Sequence, residues 1–202
     1  MANGSLNITA NIAGQSFSVA VTRTSDGSGV WTPEVTAGTA KASTDWEKTD
    51  ADTGTATMAT GHGFTTGDTV DVFWADGSRY GMTATVAGND VALDGGDGDD
   101  LPASDTSMVL CSPIEVNGTV DPDDLAMLVI ASTKRARVTF VDSGEAVLYS
   151  VDMAANEFTV WFSNSGITCP MTGNPVTKLL VSSGDTANAA AITVAAMYDA
   201  TP

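Results

Sequence analysis

Apolar and polar residues alternate along much of this 202-residue chain, and alternation of period two marks half-buried strands rather than helices. In SLNITANIAGQSFSVAVTR, Leu6, Ile8 and Ala10 alternate with Asn7 and Thr9. After a break around Gly14, Phe17, Val19 and Val21 alternate with Ser18 and Ala20. Two such runs joined by a glycine-containing break predict a hairpin. SDGSG at 25–29 predicts the next turn, and VWTPEVTAG reads as a short edge segment because Pro33 cannot donate to a ladder. Charged residues are only 16% of the chain, against a typical quarter. The polarity comes from Thr, Ser, Asn, Asp and Gly, which suit strand surfaces and turns.

Five short strands are expected at 55–59, 69–74, 79–86, 90–93 and 106–111, broken by GHGFTTGD, ADGS, AGND and DGGDGDDLPASD. That density predicts a small barrel over 54–112. Residues 39–53 show little periodicity and read as a linker. Further on, RARVTFVDSGEAVLYSVD predicts a hairpin around DSGE, and EFTVWFSN, TKLLVSS and AAITVAAMYDA continue the meander. The segment after Asp121 is open to two readings. DPDD resembles a helix start, giving one short helix over 122–131. Alternatively it is a turn before a buried strand LAMLVIA, since Val129 and Ile130 favour strands. The expected fold is therefore all-β: a β-sandwich or jelly roll built from both chain ends, 1–38 and 113–202, with the barrel inserted and at most one short helix.

The charge balance narrows the partners. Eight basic residues face 25 acidic ones, a net charge of −17. Nucleic-acid binding depends on cations that displace phosphate counterions, so direct contact with DNA or RNA is not expected, nor with an anionic membrane. No run of eighteen apolar residues is present. The first residues lack the basic and apolar regions of a signal peptide, so synthesis in a host cytoplasm without export is expected.

His62, the one histidine, stands between Gly61 and Gly63. Nucleophilic catalysis would need a positioned partner; Asp68 and Asp71 are near in sequence, but no G-x-S-x-G motif occurs. Zinc would need three or four good ligands, which one histidine and two distant cysteines, Cys111 and Cys169, do not supply. The flanking glycines permit positive φ, so His62 reads as a turn residue. The two cysteines read as buried thiols, a disulfide being the alternative.

The segment ATGHGFTTGDTVDVFWADG resembles a short stretch found in bacteriophage tail and virion proteins, on His62, Gly63, Phe64, Gly67, Asp68 and Val70. The resemblance implies a small β-barrel module in a virion structural component. It brings no catalytic residue.

Three further groups are candidates. Asp94, Asp97, Asp99 and Asp100 offer hard oxygen ligands on a glycine-rich loop, as calcium prefers, although their spacing is not that of an EF-hand. A solvated acidic loop is the leading reading and calcium the alternative, and no cofactor is otherwise expected. Lys134, Arg135 and Arg137 form a basic cluster suited to docking against acidic residues of a neighbouring copy. Trp46, in the polar linker, is the aromatic expected to be exposed and to make a contact; with Tyr80 it would suit a carbohydrate platform, whereas Trp74 and Trp161 lie in apolar strands and read as core.

These features lead to a non-enzymatic bacteriophage virion protein, a capsid decoration or tail/neck component. Its expected partners are copies of itself and other capsid or tail proteins. The rival is a carbohydrate- or receptor-binding β-sandwich, assisted by calcium at 94–100. A hydrolase with an acid pair is a third reading, with no two carboxylates marked out for it. LAMLVIA and AAITVAAM are expected to leave apolar surface for symmetry mates to cover.

Overall fold

A computed structural model of the protein describes residues 3–12, 15–24, 28–31, 34–35, 39–162, 169–171 and 174–198. Gly14, residues 25–27 and Pro33, where turns and an edge break are expected, lie outside these. The described residues form strands and turns without a helix. The strands are β1 (Asn3–Ile12), β2 (Gln15–Thr24), β3 (Ser28–Trp31), β4 (Glu34–Val35), β5 (Ala40–Lys48), β6 (Thr53–Met58), β7 (Thr69–Trp74), β8 (Gly77–Ala87) and β9 (Asp90–Asp94). They continue with β10 (Asp97–Gly98), β11 (Val109–Cys111), β12 (Ile114–Val120), β13 (Leu125–Ser132), β14 (Ala136–Asp142), β15 (Val147–Met153), β16 (Glu157–Phe162), β17 (Val176–Ser183) and β18 (Ala190–Tyr198).

The chain divides into two compact units. The barrel unit comprises residues 35–114 together with 182–189. Its strands run β8-β7-β11-β5-β6-β9, and β9 pairs back onto β8, so the sheet closes on itself; β10 extends the β9 side of β8. Closure removes the free edges that an open sheet of this size would expose. Alternation fills the interior: β6 and β9 bury every second residue. Trp46, Met58, Val72, Met82, Leu93 and Leu110 belong to the resulting core.

Residues 39–53 are not a linker. Most of them form β5, which pairs with β11 and β6 as a barrel stave. Its alternation is obscured by a register shift between Ser43 and Asp45, and along the stave only Ala40 and Trp46 are buried. The barrel unit therefore starts well before residue 54.

The second unit takes residues 1–34, 115–181 and 190–202. One sheet has the order β12-β17-β14-β15 and the other β16-β13-β18-β3, with β4 also on β18. Residues from early and late in the chain thus share this unit. β1 and β2 form a separate two-stranded ribbon. At 121–124 the strand reading holds. Asp121 accepts a hydrogen bond from the Asp123 amide in a turn, and β13 then pairs with β16 on one side and β18 on the other. Two ladders outweigh a local helix-start signal, because they satisfy the backbone of strongly β-favouring residues.

Leu125 through Ile130 are all buried, as in a strand covered on both faces. In AAITVAAM, Ile192, Val194, Ala195 and Ala196 are buried as well. The chain itself covers these side chains, so they do not supply the apolar surface for a neighbour that the sequence suggests.

Candidate functional site

Loop 59–68, between β6 and β7, is built from turn chemistry. Gly61, Gly63 and Gly67 have φ of 80°, 89° and 97°, conformations that suit glycine and strain other residues. The His62 Nδ1 accepts the Phe64 amide at 3.1 Å, which leaves Nε2 as the protonated nitrogen, 3.2 Å from the Gly88 carbonyl. The ring thus staples this loop to the β8–β9 turn and stacks on Phe64, with centroids 5.6 Å apart. Phe64 is 7% exposed and joins the barrel core. Asp68 accepts the Thr65 amide and hydroxyl, each at 2.8 Å, and these two bonds hold its carboxyl below the usual carboxylate range. The Gly67 amide donates to Ala84, and the Ala84 amide to Asp68. The segment is a strap that docks Phe64 into the barrel.

Beside the strap lies a groove of about 350 Å³ lined by Ala40, Lys41, Met58, Thr60, His62 and Thr186, among others, with no carboxylate in its wall. It offers one ammonium, two hydroxyls and an apolar floor. With both imidazole nitrogens already bonded, this wall can hold a ligand but does not present a free base. Cys111 is fully buried, and burial pushes its thiol up to about 11, so it stays protonated and poorly nucleophilic near neutrality. Cys169 is likewise a free thiol, raised above its ordinary value chiefly by burial.

The aspartates of the acidic loop do not converge. Asp94, Asp97, Asp99 and Asp100 are all exposed, and no cluster of metal-ligating side chains occurs among the described residues. The loop is organised by Arg79, which is only 9% exposed. Its Nε donates to the Gly95 carbonyl at 2.6 Å, one terminal nitrogen to Gly96 at 2.9 Å and the other to Asp99 at 3.1 Å. Those are the backbone oxygens a calcium ion would compete for, and a guanidinium already holds them.

The basic cluster is also committed within the chain. Arg137 pairs with Asp152 at 3.1 Å, directly across the β14–β15 ladder, and its Nε reaches the Thr139 hydroxyl at 3.2 Å. Lys134 and Arg135 lie in the turn before β14, half-buried, and each interacts within the chain. Arg137 of the expected docking cluster is thus already engaged in an ion pair within the chain. Trp46 is corrected outright: it is 1% exposed, with its indole N–H donated to the Pro102 carbonyl at 3.2 Å. Tyr80 is 7% exposed and bonded to the Ser78 hydroxyl at 2.6 Å. Neither forms an exposed platform.

No family model, curated protein or solved structure matches this chain. The site residues therefore rest on their own geometry.

That geometry also gives Asp71, considered above only for its nearness to His62 in sequence, other partners. Asp71, 5% exposed on β7, accepts the Gly81 amide at 2.9 Å and the Ser182 hydroxyl at 2.5 Å. The register of β7 on β8 shifts between Val70 and Val72, and Gly81 has a φ of 68°. The carboxylate thus serves a β-bulge and a segment more than a hundred residues away. A signal was present: an aspartate inside the otherwise apolar TVDVFW, facing a strand with an internal glycine.

Proposed function

We propose that this chain is a non-enzymatic structural protein of a bacteriophage virion, a capsid decoration or tail/neck component that assembles with copies of itself and with other virion proteins. The observation that carries the reading is the closed barrel built around the His62–Val70 strap, the kind of module that the resemblance implies. The strap's polar groups support a structural role: His62, Thr65 and Asp68 are engaged in bonds that hold the loop and seat Phe64. The net charge of −17 suits a protein that must sit near packaged DNA without adhering to it.

The rival reading, a carbohydrate-binding module, loses both of its proposed aromatic contacts, because Trp46 and Tyr80 are buried. Electron microscopy of the purified protein, alone and mixed with its parent particle, tests the proposal. Rings, tubes or regular occupancy of a capsid or tail are expected. A strict monomer at high concentration that binds no particle would overturn it.

A further inference from the structure

We propose that the β1–β2 ribbon is an assembly arm whose open edge pairs, strand to strand, with the same ribbon of a second copy of this chain. The inference deepens the assembly reading above and rests on it. β1 and β2 pair in register over ten residues each, from Asn3 opposite Thr24 to Ile12 opposite Gln15. Among the described residues no other strand pairs with either one. A lone two-stranded ribbon is at best marginally stable in water, and each outer edge carries a row of backbone donors and acceptors.

Natural edges that must stay single are blunted by charges, prolines or bulges. This ribbon has none of them over most of its length. Its register runs without a shift, and residues 1–22 include no proline and no Asp, Glu, Lys, Arg or His. Among the other edge strands, β12 carries Glu115, β15 carries Asp152 and β16 carries Glu157, while β3, uncharged, is only four residues long. Charge also selects the occupant. Two copies at −17 each repel wherever their acidic surfaces meet, and the first charged residue of the chain is Arg23. The ribbon is thus a long open edge along which a second copy can approach without bringing carboxylate against carboxylate. A neutral edge offers no counter-charge to a basic or acidic partner, whereas pairing with its own copy about a two-fold axis closes on itself.

The test is sedimentation velocity of the full chain over a wide concentration range, comparing wild type with the Thr9→Asp, Ser18→Asp double variant. The two positions face each other across the ribbon, so the variant puts two carboxylates on the arm of each copy, and its amides over residues 3–24 should exchange at high dilution as those of dilute wild type do, which shows that the ribbon itself survives. Wild type is expected to associate and the variant to do so at least tenfold more weakly, with unchanged circular dichroism and melting temperature. The conservative Thr9→Ser, Ser18→Thr variant should associate as wild type does. In wild type, amide exchange over residues 3–24 should slow as concentration rises. Equal association of the aspartate variant and wild type, with exchange independent of concentration, would overturn the arm and leave the assembly reading standing. A wild type that stays monomeric throughout would overturn both.

Discussion

At the scale of single residues, Phe64 and His62 make the cleanest contrast. Phe64→Ala should cost about 3–5 kcal/mol, as for a buried aromatic whose cavity cannot collapse, whereas His62→Ala removes two hydrogen bonds at a half-buried site and should cost about 0.5–1.5 kcal/mol. Denaturant unfolding of both variants checks the ordering; a His62 variant as damaged as the Phe64 one would mean that the ring does more than staple. Acid provides a second check. Asp142 accepts the Asn174 side-chain amide and the backbone amides of Gly144 and Ala146, and these bonds, Asn174 first, hold its carboxyl low; Asp68 is held low by Thr65. Because both carboxyls titrate lower when folded, the unfolded chain binds protons first as pH falls. Their stabilisation is present above the unfolded value of about 3.9 and is lost as pH drops through the folded values. Melting temperature should therefore fall steeply below about pH 4, and less steeply in Asp142→Asn, whose side chain no longer titrates. An acid limb of equal slope in that variant would show that other groups dominate.

Among elements, β5 shows what the sequence can hide. A stave made of Ala, Lys, Ser, Thr, Asp and Glu around a single tryptophan carries little apolar alternation, and its bulge shifts what alternation there is. Trp46 was consequently unreadable as core, although its depth follows once Gly54 is placed across the ladder. A Cβ at Gly54 would run into the Trp46 indole, so the glycine exists to admit the ring. Gly54→Ala should destabilise the barrel by about 1–3 kcal/mol through overpacking and should change Trp46 fluorescence; a neutral substitution would mean that the indole moves aside freely. By contrast β7, β8 and β9 were legible almost to the residue, because each is a compact run of β-favouring residues and their turns use glycine. What organises the acidic loop was hidden for a different reason. Composition shows four carboxylates but not the neighbouring Arg79, whose role depends on backbone carbonyls that no residue pattern reveals.

For the molecule as a whole, the barrel unit is not one continuous stretch of chain. Residues 182–189 return to it after 115–181 have built most of the other unit, and they bring Ser182 to the buried carboxylate of Asp71. Ser182→Ala should therefore cost about 1–3 kcal/mol, the range for depriving a buried polar group of a partner. A fragment of residues 35–114 alone should be less stable than the same fragment joined by a short linker to 182–189, as measured by thermal melts. Equal melting temperatures would show that the returning segment is dispensable. The same stitch has a consequence for biosynthesis. A ribosome releases the chain from its N-terminal end, so all the barrel staves emerge while Ser182 has yet to be made. For that interval Asp71 has no Ser182 to donate to it, and the barrel waits, incomplete, until residues 115–181 have been made.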